Sequence, residues 1–198
     1  EGALLQGIPA DYDAEDAVGA SDLEARHGLT LPIHGFPLFE NALWAQSGLD
    51  KAAWLDRVGR LWAGFSEVAA QHPNAWTRRP LSAADIVNPA ADNRPIAYPY
   101  TKRMVSLVMA DIGAAVILTT ADRAAAARDG GGRAVYFRGG AYARARQRFM
   151  IDKSDYTSSP ALARAAARAQ IRAGLAAAEV AAFDLYSCFP CAVNVARR

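Results

Sequence analysis

Apolar positions return along the chain at different periods, and the changes of period mark the elements. From Asp50 to about Gln71, Trp54, Leu55, Val58, Leu61, Trp62, Phe65 and Val68 recur at spacings of three and four. This predicts a helix with a wide apolar face, capped by Asp50 and ended by His72-Pro73. Aromatics at that spacing are more often core than a ligand platform, given the area each buries. Just before it, Pro37 to Ser47 reads as a helix with Leu38, Asn41, Ala42 and Ala45 on one stripe and Gly48 as its stop. The two are expected to pack as a hairpin. A short helix is expected near Ser21–Arg26, where Ser21 can cap and Glu24 stands at the capping-box distance. Ser82 caps a short turn through Ile86, and Asp122 to Arg128 is an Ala-rich helix. Ser159-Pro160 opens a helix over Ala161–Ala173 that stops at Gly174. Its Arg164, Arg168 and Arg172 line a face opposite Ala, the pattern of an exposed face on a helix packed against a sheet.

One stretch reads as a strand, Ala182 to about Ser187, where Phe183 and Leu185 alternate with Asp184 and Tyr186. Gly113-Ala-Ala-Val-Ile-Leu118 is the longest apolar run. Arg78 to Pro99 is Pro- and Asn-rich loop, and Asp129-Gly-Gly-Gly132 is a turn without the Gly-Lys-Ser/Thr that phosphate binding requires. Arg144, Arg146 and Arg148 alternate with Ala145 and Gln147 in a solvated strand or loop. The acidic cluster Asp11, Asp13, Glu15 and Asp16 around Tyr12 lacks calcium-loop spacing and reads as surface.

Composition narrows the classes. With 198 residues, 52% of them hydrophobic, the chain can bury a real core, and its longest apolar run is far below a bilayer span. No membrane span and a cytoplasmic location are the expectations. The start at Glu1, without an initiator Met, suggests a fragment. A formal charge of +2 is too small to argue for nucleic acid.

Chemistry is expected near the C-terminus. Ala182 to Ala196 reads as a buried strand running straight into a helix that begins at Pro190, with Tyr186, Ser187 and Cys188 at the turn. A thiol or hydroxyl there would face unpaired N–H groups at the positive end of a helix dipole, which lowers a cysteine pKa and stabilises an oxyanion. Cys188 and Cys191 form a Cys-x-x-Cys, which can be a redox pair, half a zinc site or two passive apolar residues. No second Cys pair or His-x-x-x-His follows, so no metal is expected.

Asp184-Leu-Tyr-Ser-Cys-Phe-Pro190 resembles the motif that bacterial thiolase-like acetyl-CoA acetyltransferases and the related sterol-carrier-protein thiolases carry in the second half of the chain. Pro99-Tyr-Thr-Lys-Arg-Met104 and Asp111-Ile-Gly-Ala-Ala-Val-Ile-Leu118 are similar to family segments of the first-half core, the latter a strand whose small residues allow close packing. Leu38-Phe39-Glu40-Asn41 with Ala75-Trp76 resembles the helical loop region that lies over coenzyme A in thiolases. The resemblance covers about Leu31 to Arg198. It implies a partial thiolase-like fold of layered α/β/α type with an inserted helical region. Residues 1–98 would be that helical region, 99–128 the end of the first-half core, and 129–198 the start of the second half, opening on a strand over Arg133 to Tyr142. Strands that alternate with helices imply parallel pairing, so the fold class is α/β.

The resemblance implies part of a thiolase-like acyl-CoA acyltransferase acting on coenzyme A thioesters in lipid or sterol metabolism. Acyl-CoA would be the substrate, with no separate cofactor. A homodimer or tetramer, or a small acyl-CoA-binding partner subunit, would be the assembly. Tyr186 and Cys188 are the catalytic candidates, and Lys102, Arg103, Ser187 and Phe189 the substrate-binding ones. Lys102 and Arg103 could meet coenzyme A phosphates, or be solvated surface charges. Cys188 is expected to line the pocket rather than attack. The family's nucleophilic cysteine, its Gly-His-Pro histidine and its second acid/base cysteine have no counterpart here, and His27, His34 and His72 receive no catalytic role. Tyr186 stands where relatives carry His or Asn, and Pro190 where they carry a small hydroxyl residue. A phenol suits proton transfer to a β-hydroxy oxygen, so a thiolase-like retro-aldolase is the alternative. A non-catalytic acyl-CoA or lipid-binding protein is another, and a Cys-x-x-Cys redox module a third.

Overall fold

Helix starts are largely written in local capping chemistry. In a computed structural model, which describes residues 20–107, 109–111, 113–126 and 134–198, Ser21 and Glu24 close a reciprocal capping box on α1 (Asp22–Arg26). Asp50 accepts from the Ala53 N–H at 2.8 Å to open α3 (Lys51–Gln71), and Ser82 pairs with Asp85 to open α4 (Ala83–Val87). α5 (Ala121–Ala126) follows, then α6 (Pro160–Ala173), which ends at Gly174 with φ of 65°, and α7 (Pro190–Ala196). The acidic cluster around Tyr12 and the Asp129–Gly132 turn lie outside the described residues.

α2 (Pro32–Ser47) differs from expectation at its start and in its buried face. Pro32, not Pro37, takes the first turn, and the His34 Nδ1 accepts from the Leu31 N–H at 3.3 Å. The helix then runs through a buried Pro37. Its inner face carries Gly35, Pro37, Glu40 and Leu43, whereas Leu38 is exposed. Burial of a carboxylate inverts the pattern that a polar-outside reading assigns. The expected α2–α3 hairpin is also looser than foreseen: α3 packs chiefly on α4, and α2 on α7. α2 and α3 meet through Glu40 and Trp54.

The core gathers Leu43, Trp54, Val58, Ile86, Tyr100, Met104, Phe189 and Cys191. Tyr100 arrives on a two-stranded antiparallel ribbon of β1 (Pro95–Ala97) and β2 (Tyr100–Thr101), which continues into a 3-10 turn over Lys102–Met104. Buried Asn93 pins that ribbon: its amide donates to carbonyls of Ile86 and Asn88, and its oxygen accepts from the Arg103 N–H at 2.9 Å. The Pro99–Met104 segment thus brings Tyr100, Thr101 and Met104 into the core.

The expected strands are not assembled. Among the described residues, strand pairing is confined to β1–β2 and one bridge between Ala90 and Asn93. Residues 113–118, 134–142 and 182–187 carry no ladder, and Ile117 is 92% exposed. A strand is stable only with a hydrogen-bonded neighbour, and these segments find no partner strand. Gly113 faces open space, so the close packing expected of the Gly-Ala-Ala segment is absent. Gly139 instead makes the close approach, against Ala169 and Ala173 of α6.

Candidate functional site

The C-terminal segment carries the site residues to one side of the core. Pro190 starts α7 as expected, and the preceding residues are tied down by a backbone bond from the Ser106 N–H to the Cys188 carbonyl at 3.0 Å. Between this segment, α2 and the start of α6 lies a cavity of about 340 Å³, lined by Phe36, Phe39, Leu162, Leu185 and Val195, with Tyr186, Cys191, Lys153, Asp184, Ser158 and Ser159 as its polar groups. A mostly apolar hollow with a few polar groups is the usual form of a small-molecule site.

An aromatic row runs from this cavity into the core. Tyr186 stacks on Phe36 at 6.0 Å between ring centroids, Phe36 on Phe189 at 4.2 Å, and Phe189 meets Tyr100 at 5.8 Å. Tyr186 is 59% exposed at the mouth. Its phenol is pushed up to about 12, first by a hydrogen bond with Cys188 and then by partial burial, so it is held as a proton donor.

The other expected site residues are placed as follows. Cys188 is half-buried against the core and does not line the cavity, and Ser187 is exposed and does not line it either. Phe189 is buried in the core rather than on the cavity. Arg103 donates to the Asp85 carbonyl at 2.9 Å and pairs with Asp92, while Lys102 is exposed; neither reaches the cavity. Cys191, not Cys188, faces the cavity, and burial pushes its thiol up to about 12. Desolvation dominates there and outweighs the Tyr100 hydrogen bond, which acts in the opposite direction.

Sequence reading missed Phe36, Phe39, Lys153 and Leu162. Phe36 fell outside a helix expected to begin at Pro37, and Phe39 lay off its expected stripe; Lys153 and Leu162 carry no local signal, since only the tertiary arrangement brings them to α7. Lys153 sits with its Nζ 5.8 Å from the Phe39 ring centroid and is the cation at the cavity. Both cysteines are free, and no cluster of three metal-ligating side chains occurs among the described residues.

The fold has a solved counterpart. The chain superposes on a monomeric SCP2-thiolase like protein type 1 from Mycobacterium smegmatis with a TM-score of 0.70 and 29% identity, over 89% of this chain and 38% of that one. The fold is therefore the thiolase-like α/β fold, and the chain spans well under half the length of that protein. No family model matches the chain, and no curated protein matches it. The neighbour is monomeric, which lends no support to the dimer or tetramer expected from the resemblance. No helix among the described residues is long and apolar enough to cross a membrane.

Proposed function

We propose that this chain forms the acyl-binding wall of a thiolase-like acyl-CoA acyltransferase. The observation that carries the reading is the cavity: an apolar hollow of about 340 Å³ beside the Asp184–Pro190 segment, with Tyr186 at its mouth, in a thiolase-like fold. An acyl chain would lie against Phe36, Phe39, Leu162 and Val195. Tyr186, neutral up to about pH 12, would hydrogen-bond the thioester oxygen, and Lys153 would sit beside the polar end of the ligand. Cys191 is unsuited to attack, because burial disfavours its thiolate.

Titration calorimetry with octanoyl-CoA and with free coenzyme A tests this. Tighter binding of the acylated form is expected, and Leu162→Trp, which fills the cavity, should weaken octanoyl-CoA by about tenfold or more while leaving coenzyme A unchanged. Equal affinity for the two ligands, or indifference to Leu162→Trp, refutes it. A second reading, retro-aldol cleavage of a 3-hydroxyacyl-CoA, is favoured by the phenol at the position where relatives carry His or Asn. Assay of the longer protein containing this segment separates the two: Tyr186→Phe should abolish either acyl transfer or carbon–carbon cleavage, whichever reaction the unaltered protein performs.

A further inference from the structure

A string of three buried groups leads away from the cavity wall. Cys191, on the cavity, has its Sγ 3.5 Å from the Phe36 carbonyl and 3.2 Å from the Tyr100 hydroxyl. The Tyr100 hydroxyl is also 2.9 Å from Glu40 Oε2, and the Trp54 indole N–H donates to Glu40 Oε1 at 3.0 Å. Glu40 is 0% exposed, and among the described residues no cation pairs with it.

We propose that Glu40 is a positioning residue for the cavity wall: by holding or releasing a proton it sets, through Tyr100, the direction in which the Cys191 thiol hydrogen-bonds, and so links ligand binding in the cavity to proton uptake. The donor inventory permits two arrangements. Because Trp54 can only donate, Oε1 is engaged as an acceptor with no acceptor facing it, and a proton on Glu40 finds its partner on Oε2, where the Tyr100 oxygen can accept. When Glu40 is ionised, the Tyr100 O–H donates to Oε2 and the Cys191 S–H can donate to the phenol oxygen. When Glu40 is protonated, its O–H donates to Tyr100, Tyr100 donates to the Cys191 sulfur, and the thiol hydrogen turns to the Phe36 carbonyl. Both chains are fully paired, and they present opposite polarity at the cavity wall.

The surroundings make the proton exchangeable near neutrality. Burial pushes the Glu40 carboxyl up to about 7, against the hydrogen bonds from Tyr100, Trp54 and the Cys191 backbone N–H that pull it down. Facing it are neutral Trp54 from α3, Tyr100 from β2 and Cys191 from α7; the last two titrate, and both are raised by burial, so they stay neutral in this range. The Arg57 guanidinium lies over the Trp54 ring, 5.6 Å from its centroid. One turn away along α2, Phe36, Pro37, Leu43 and Trp44 carry no charge. A ligand that displaces water from the cavity lowers the local dielectric and favours the neutral carboxyl, so affinity should fall as pH rises through neutrality.

The ligand half of this inference rests on the acyl-binding reading; the hydrogen-bond half does not. The infrared S–H stretch of Cys191 reports the latter directly, in the whole chain carrying Cys188→Ala so that one thiol remains. Its frequency should shift as pH is raised from about 5 to about 9 and stay fixed in Glu40→Gln, whose amide, held by Trp54, donates to Tyr100 as the protonated acid does. Tyr100→Phe, which cuts the chain but keeps Glu40, should also abolish the shift. A band that never moves, or moves equally in Glu40→Gln, overturns the proposal. For the ligand half, the neutral thioester S-octanoyl-N-acetylcysteamine should bind about fivefold more weakly at the alkaline end of that range, with no such change in Glu40→Gln. Binding that ignores pH while the band moves overturns the link to the ligand. Failure of the thioester to bind at any pH overturns the acyl-binding reading and that link together, and leaves the band to decide the role of Glu40.

Discussion

At the scale of single residues, the glutamate in the core has a measurable thermodynamic consequence. The folded state holds the Glu40 proton up to about pH 7, whereas the unfolded chain releases it near 4.5, so between these values the folded state binds the extra proton. Stability from this group is therefore complete below about 4.5 and is lost as pH rises through 7, a loss of roughly 3 kcal/mol. Asp155 works in the opposite sense: its hydrogen bonds to Ser158 and Thr157 hold it down at about 2, so its contribution is lost in acid. Urea unfolding of the unaltered chain and of Glu40→Gln at a series of pH values isolates the first effect. The difference between the two should change by that amount between about pH 4.5 and 7, and a constant difference would show that Glu40 ionises normally.

At the scale of elements, two glycines of α3 separate packing from propensity. A Cβ on Gly59 would lie 2.9 Å from the Ala83 carbonyl oxygen and 3.0 Å from Val87 Cγ1, so α4 can approach only because that side chain is missing. Gly64 has nothing within 4 Å. Gly59→Ala is expected to lower stability by about 1–3 kcal/mol despite the better helix former, and Gly64→Ala to raise it by about 0.5–1 kcal/mol. Thermal unfolding of the two variants should therefore move in opposite directions. The glycine in contact was not distinguishable by sequence from the one in the open, since both sit at plausible positions in the same amphipathic pattern. Nor was the face of α2 readable, because a pattern argument places Glu40 in water, and the donors that make its burial tolerable come from Trp54, 14 residues on, and Tyr100, 60 residues on.

At the scale of the whole molecule, the chain divides into a packed region and apolar segments without a sheet. Val116, Ile117, Leu118, Val135 and Phe137 are each at least three-quarters exposed, although their sequences are those of buried strands. Such side chains contribute no burial here, so Ile117→Lys should leave the unfolding free energy within about 0.5 kcal/mol while improving solubility. A large loss of stability in that variant would mean the segment is packed in solution. The solved neighbour extends well beyond the part this chain matches, and the thiolase-like fold was recognisable before any coordinates from Pro99–Met104, Asp111–Leu118 and Asp184–Pro190.

By itself the sequence determined what depends on near neighbours: the caps at Ser21, Asp50, Ser82 and Ser159, the stops at Gly48 and Gly174, and the helix begun by Pro190. These are interactions across a few residues, and their energies do not wait for the rest of the chain. Only the tertiary structure decided that Cys191 rather than Cys188 meets the cavity, that Arg103 is spent on Asp92, and that Lys153 and Leu162 join Tyr186 around one hollow. Burial and long-range hydrogen bonding settle those outcomes. They depend on which surfaces meet, and no local spacing encodes that.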